Sequence, residues 1–438
     1  MRHATTWLAT ISLFSLLGCS AGKQDTPNGA KLDGAVDGTT DTSIDLDGFS
    51  PDGAPERPAT LKGKVTAPEG TIPISGALVY TSTSAPAAIP DKVYCDKCVK
   101  LTDGTPYTTT APDGTFTLPT FLGEQFLIVQ KGAFRKVRKI TPVAGEQAVP
   151  KENTTMPAKT NKAAGDDVPR MAIALGAWDP IEMVLARMGL EAKVTVGGFP
   201  LPKARVLSKD ATGFAIYGLH DLGETSPYPS PDKLLSDPAE ISKYHIVFVP
   251  CSGGSDFGGG SGPKCTGVYS GATKTTMDNY VKAGGRVYVS DWSYEYVRQN
   301  FPGFMDWKGG TSTIGSACED GGGEETATIE DTGLAAWLAA QGKSLGSVKD
   351  AWTHVLGVKT VDDLDVDGKP AKSTPKVWVK AAGLPASTSF EHSCGRVLYT
   401  TYHTQPTAEA SAPLEPQALA LLYLILEVNV CVGPVAIK

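Results

Sequence analysis

Three residues of this 438-residue chain have a type and a setting suited to catalysis: Cys251, Asp291 and His403. Cys251 closes the apolar run 245–250 and opens Cys251-Ser252-Gly253-Gly254, where successive amides can nest around a thiolate. Asp291 follows the apolar run Arg286–Ser290. His403 follows the run 396–402, and imidazole titrates near neutrality, as a general acid or base must. A thiol or carboxylate beside a histidine makes a nucleophile–base pair for hydrolysis or amide cleavage. Each residue also has a plainer reading. His403 suits a hydrogen-bonded strand-end histidine, Cys251 one half of a disulfide, and Asp291 an acceptor for a helix start. Trp292, Tyr294 and Tyr296 follow directly and offer a lining for a ligand groove, with at least one of them in the core.

The cysteines carry the next expectations. Cys95-Asp96-Lys97-Cys98 is a lone CxxC inside the insertion 85–107. A redox dithiol wants its first cysteine at a helix N-terminus, and this segment has prolines, charges and no helical period. A zinc site wants further ligands, and the chain has no second CxxC and no HxxxH. The favoured reading is a local Cys95–Cys98 disulfide. Cys251 and Cys265 flank a Gly/Ser-rich loop and are expected to pair. Cys318 and Cys394 are expected to staple a long insertion, which leaves Cys431 as a buried thiol. No metal and no cofactor is expected. The run 363–368 opens like a calcium loop, but Thr374 stands where the closing Glu belongs, so a tight turn is favoured. The similar string at 43–48 has Ala54 at that place and reads as linker.

The elements that must position these residues are short apolar runs separated by helical segments. Runs 170–175, 214–217, 245–250, 286–290 and 396–402 read as strands. Asp179-Pro180 predicts an N-cap with proline at the first helical position, for a helix to Met188. Further helices are predicted over 237–243, 276–283, 293–300 and 413–427, and an insertion over 309–382 carries a helix near 332–340 and a strand at 376–380. Alternation of this kind predicts a doubly wound, flavodoxin-like α/β domain over 168–438. Function in such sheets sits beyond the carboxyl ends of the strands, where Cys251, Asp291 and His403 fall. Before it, residues 59–150 form a small all-β sandwich. Its strands are expected at 61–65, 77–80, 125–130 and 135–140, with a hairpin across Asp113-Gly114. Residues 151–167 read as a polar linker.

The N-terminus gives the compartment. Residues 1–3 are basic, 7–17 apolar, and Leu16-Leu17-Gly18-Cys19 follows. This box resembles that of bacterial lipoproteins. The resemblance implies cleavage before Cys19, lipidation of its sulfur and, with Ser20 next, sorting to the outer membrane of a Gram-negative cell. Residues 20–58 are acidic and polar, a disordered tether. The net charge of −7 argues against an electrostatic nucleic-acid binder, and scattered cysteines suit an oxidising compartment.

Two further resemblances concern the folded part. Gly63-x-Val65, Ile74-Ser75-Gly76-Ala77-x-Val79 and Thr110-x-x-Asp113-Gly114-x-Phe116-x-Leu118 resemble the carboxypeptidase regulatory-like domain, a non-catalytic transthyretin-like sandwich. Residues 284–289 and 397–404 resemble the class I glutamine amidotransferase-like fold. Working members carry GxCxG after the first of these strands and His-Pro-Glu after the second. Here those places hold Ser290-Asp291-Trp292 and His403-Thr404-Gln405, so the dyad is incomplete. The sequence alone therefore favours an outer-membrane-anchored binding or scaffolding protein with an unknown envelope ligand. The rival is an envelope hydrolase or amidase using His403 with Cys251 or Asp291.

Overall fold

A computed structural model describes residues 56–96, 99–176, 178–190, 194–196, 205–207, 213–218, 228–252, 271–310, 314–318, 323–404 and 413–427. Cys19, Cys98, Cys265, Cys431 and the tether up to residue 55 lie outside the described residues.

The N-terminal part is two facing sheets. One orders Thr115–Thr120, Ala59–Lys64 and Gly145–Ala148; the other orders Tyr107–Thr109, Leu78–Ser82, Gln125–Lys131, Phe134–Ile140 and Asp166–Asp167. Strand Thr115–Thr120 alternates exposed and buried residues, because one face meets the other sheet and one meets solvent. Leu61, Phe116 and Leu118 thus join Val79, Leu127 and Val129 in one core. The predicted hairpin is not one: Tyr107–Thr109 and Thr115–Thr120 belong to different sheets. Asp113-Gly114 is a corner, with Gly114 at φ +81°, where an added Cβ would lie 2.4 Å from the Val65 carbonyl oxygen. Residues 151–167 are no free linker either. Met156 is buried in the sandwich core, and Asp167 pairs with Arg135 at 2.8 Å with both side chains buried.

The larger part is built on a nine-stranded sheet. Five parallel strands run in the order Ala215–Tyr217, Met171–Ala174, Ile246–Val249, Arg286–Ser290, Gly395–Thr400. Each side of each strand is apolar for a reason. Ile246, Phe248, Tyr288 and Leu398 face one layer, with helices Ile181–Arg187 and Pro416–Glu427. Val247, Val249, Val287, Val289, Val397 and Tyr399 face the other, with helices Pro231–Ser236 and Gly271–Lys282. Strands buried on both faces read as unbroken apolar runs, which is why the sequence exposed them.

The insertion carries its expected helix, at Thr332–Ala339, and its expected strand, at Lys376–Ala381, and it is part of the sheet itself. Its strands Glu325–Ile329 and Lys376–Ala381 continue the same sheet in antiparallel sense, through Leu384–His392, which pairs with Gly395–Thr400. The tight turn expected at 363–368 is present, with Asp365 Oδ1 accepting from the Asp367 and Lys369 amides, each at 2.9 Å.

The disulfide pattern also differs. Cys95 bonds Cys394, not Cys98, across 299 residues. Cys318 is therefore not bonded to Cys394, although it is disulfide-bonded. Cys251 is a free, buried thiol, so the Cys251–Cys265 bridge does not form. The reason lies in docking. The Cys95 segment packs on the amino edge of the large sheet: Val93 N–H donates to Ser242 O at 2.9 Å, and His245 Nε2 meets Pro90 O at 2.9 Å. Gly284 is required there, since any Cβ would sit 2.0 Å from Tyr94 O.

Candidate functional site

The three candidate residues stand at the carboxyl edge of the parallel strands. Strand Arg286–Ser290 passes at once into a 3₁₀ turn, Asp291–Tyr294, and Asp291 takes φ +46°. A non-glycine residue in that region costs on the order of 1–3 kcal/mol, so its surroundings must hold it there. They do so from four sides. Asp291 Oδ1 accepts from the Trp352 amide at 3.1 Å and the Thr353 hydroxyl at 3.4 Å. Its Oδ2 meets His403 Nδ1 at 3.0 Å and accepts from Cys251 Sγ at 3.6 Å. Its carbonyl oxygen accepts from Tyr399 Oη at 3.2 Å.

All three residues singled out in the sequence therefore meet around one oxygen. Sγ of Cys251, a carboxylate oxygen of Asp291 and a ring nitrogen of His403 lie within 4.8 Å of one another. They are 1%, 0% and 6% exposed. The Trp292 amide donates to Cys251 Sγ.

Burial pushes the Cys251 thiol well above its usual range, and the neighbouring Asp291 charge adds to this. Burial likewise lifts the Asp291 carboxyl to about 6, against the hydrogen bond from His403, which favours the charged form. For His403, burial favours the neutral ring, but the Asp291 hydrogen bond and the charges of Asp291, Asp179 and Asp350 outweigh it and raise the imidazole above 6.5. Both shifts of the Asp291–His403 pair act in one direction: the pair holds a proton between Oδ2 and Nδ1.

A fourth residue, Asp179, organises these strand ends. It is fully buried and accepts from Ser290 Oγ at 2.5 Å, Tyr288 Oη at 3.2 Å and the Thr404 amide at 3.0 Å. Ser290 Oγ accepts in turn from the Cys251 amide at 2.8 Å. One carboxylate thus ties the residue before Asp291, the residue after His403 and the backbone of Cys251. The expected helix N-cap role is absent: helix Ile181–Arg187 has no side-chain cap. The sequence reading missed Asp179 because Asp-Pro is also a good helix start. The signal that separates the two is tertiary, since its partners stand 111 and 225 residues away.

Of the aromatic residues after Asp291, Tyr294 and Tyr296 are core, at 0% and 2% exposed. Trp292 is half-buried and packs edge-on against Trp178 and Trp352, with Trp178 42% exposed. A cleft of about 680 Å³ elsewhere, lined by Asp363, Lys376, Trp378 and Arg396 among others, shares no residue with the cluster.

No family model matches the chain, and no curated protein matches it. Solved structures do. A ThuA-like protein from Bacteroides uniformis is 8% identical, with 59% of this chain and 91% of that one covered at a TM-score of 0.31. A ThuA-like protein from Parabacteroides merdae is 15% identical over 62% and 92%, at 0.30. A GMP synthase component from Thermoplasma acidophilum is 7% identical over 59% and 92%, at 0.31. These neighbours have a glutamine amidotransferase-like fold. At TM-scores of this size none of them carries weight for function.

Proposed function

We propose that the chain is a hydrolase whose centre is the Cys251–Asp291–His403 cluster. One observation carries this: three groups from three strand ends meet at one buried oxygen, and Cys251 is a thiol rather than half of a disulfide. The roles follow from the geometry. Asp291 holds His403 by Nδ1, which leaves Nε2 as the ring nitrogen able to take a proton from water. Cys251 does not serve as the nucleophile. Its thiol proton is directed to Asp291 and burial opposes its ionisation, so it acts as a second donor that fixes the carboxylate. Water is the attacking group.

The test is a screen of ester, amide and glycoside substrates with the full-length protein, followed by His403→Ala and Asp291→Asn. Removing a general base should lower kcat/KM by about 10²–10⁴-fold in protein that still unfolds cooperatively, at a lower Tm because a buried partner is lost. Wild-type-like turnover in His403→Ala, or no turnover of any class by the parent, overturns the reading. The second outcome leaves the binding or scaffolding protein that the sequence favours, a reading helped by the depth at which the cluster is buried.

The order of the parallel strands supports a flavodoxin-like description of the large sheet, and the two small sheets support the carboxypeptidase regulatory-like description of residues 59–150. The long-range Cys95–Cys394 bond supports export to an oxidising compartment. With the box ending at Cys19, the enzyme would sit lipid-anchored at the outer membrane, with residues 20–58 as its tether.

A further inference from the structure

The same three side chains fit something besides a proton. We infer that Cys251, Asp291 and His403 bind Zn²⁺ as a three-ligand site with one open position; this rests on the reading that the cluster is the functional centre.

The first argument is the donor set. Thiolate, imidazole and carboxylate together suit zinc, whereas magnesium and calcium want oxygen ligands alone. The second is geometry. Zinc bonds of about 2.0–2.1 Å to nitrogen and oxygen and about 2.3 Å to sulfur, at tetrahedral angles, set edges of roughly 3.3 Å for N–O and roughly 3.5 Å for S–O. The edges here are 3.0 Å for His403 Nδ1 to Asp291 Oδ2 and 3.6 Å for Cys251 Sγ to the same oxygen. The third edge is within 4.8 Å. Shifts of a few tenths of an ångström at two edges, with closure of the third, make three corners of a tetrahedron.

The third argument is the support behind each ligand, which metal sites need to orient their first shell. Asp291 Oδ1 is held by the Trp352 amide and the Thr353 hydroxyl, which leaves Oδ2 for the ion. The Trp292 amide points at Cys251 Sγ, a donor that a metal-bound thiolate can use. The His403 carbonyl oxygen accepts from Gln417 Nε2 at 2.6 Å, which fixes the strand end carrying the ring. The fourth argument is burial: none of the three ligands is more than 6% exposed, so the ion would replace hydrogens rather than displace bulk water from an open surface.

Loading changes the chemistry in a defined way. Cys251 gives up its thiol proton to solvent, and the hydrogen between Asp291 and His403 is replaced, so His403 binds through Nδ1 and carries its proton on Nε2. Three protein ligands and one open position are the layout in which zinc holds a water and lowers its pKa. Loaded protein would therefore activate water on the metal, and His403 would act as a ligand.

The test uses full-length protein with its disulfides intact, stripped with EDTA and re-equilibrated with Zn²⁺ or Co²⁺ alone. One tightly held zinc per chain is expected by elemental analysis. The Co²⁺ form should show a thiolate-to-cobalt charge-transfer band. Cys251→Ser should abolish the band, and His403→Gln should weaken zinc binding by more than about 100-fold, beyond the usual loss from an outer-shell change. If Cys251→Ser does not fold, Asp291→Asn, whose side chain tolerates positive φ, should likewise weaken zinc binding. No stoichiometric uptake, or uptake that survives these substitutions, overturns the site. Zinc bound without turnover sinks only the hydrolase reading, and turnover without stoichiometric zinc uptake sinks only the zinc site.

Discussion

Breaking the Cys95–Cys394 bond by Cys394→Ser is the most quantitative perturbation this structure offers. The bond closes a loop of 299 residues, and its Cα atoms are 5.2 Å apart, within the ordinary range. In the chain-entropy picture a loop of 100 residues is worth about 4.7 kcal/mol, and the gain rises only with the logarithm of length. Cys318 is itself bridged, and even if that bridge halved the effective loop the value would change by only about 0.6 kcal/mol. A destabilisation of about 5 kcal/mol follows. The folded state should keep its shape without the bond, because the Cys95 segment is also held by Arg286–Asp96 at 3.3 Å and by His245 on Pro90. The cost therefore arises in the unfolded chain. For a unit spanning Gly48–Lys438, an unfolding entropy of about 2.1 cal/mol/K per residue turns 5 kcal/mol into a drop of about 6 °C in Tm. Differential scanning calorimetry of parent and variant without reductant measures it. A variant melting within about 1 °C of the parent refutes the reasoning, as does a non-reduced peptide map of the parent linking Cys95 to Cys98.

Two further outcomes are expected. Burial holds His245 below its ordinary 6.5, with Arg286 and Arg170 acting the same way and the Pro90 hydrogen bond and Asp91 against. Its Nδ1 accepts the Arg170 amide at 2.8 Å, so the folded ring is neutral. The unfolded chain then takes up this proton first as pH falls. Stability should thus be unaffected by this group above 6.5 and decline below it, by at most about 1.4 kcal/mol per pH unit. Denaturant titrations of parent and His245→Gln between pH 7.5 and 5 should differ in slope, and identical slopes would count against a buried neutral ring. At the N-terminus, Cys19→Ala should leave unprocessed or soluble protein where the parent partitions into detergent, and unchanged mass and fractionation would refute the anchor.

How far the sequence could be read depended on whether the information was local. The five parallel strands were legible because each is buried on both faces and so apolar without interruption. Strand Leu384–His392 was not. Its buried Ser387 and Ser389 look like a polar loop until Tyr402 Oη is found 2.7 Å from the first and Trp378 Nε1 2.9 Å from the second. A buried hydroxyl needs a partner, and these come from the neighbouring strand Lys376–Ala381 and from beyond Gly395–Thr400. Asp113-Gly114 correctly marked a sharp reversal of chain, but a tight turn serves a corner between two sheets as well as a hairpin within one.

By itself the sequence determined which residues stand at strand ends, since the apolar runs stop at Cys251, Asp291 and His403 and strands of one parallel sheet present the same end on the same side. It also determined that these were the residue types able to do chemistry. Only the tertiary structure decided which groups touch. The order of strands set Ile246–Val249 beside Arg286–Ser290, and that beside Gly395–Thr400, which brings Cys251, Asp291 and His403 within 4.8 Å of one another. It also took Cys95 to Cys394 rather than to its near neighbour in sequence, and made Asp179 a hub rather than a cap. Side-chain contacts across more than 100 residues depend on register and layer order, and no local pattern of apolar and polar residues encodes them.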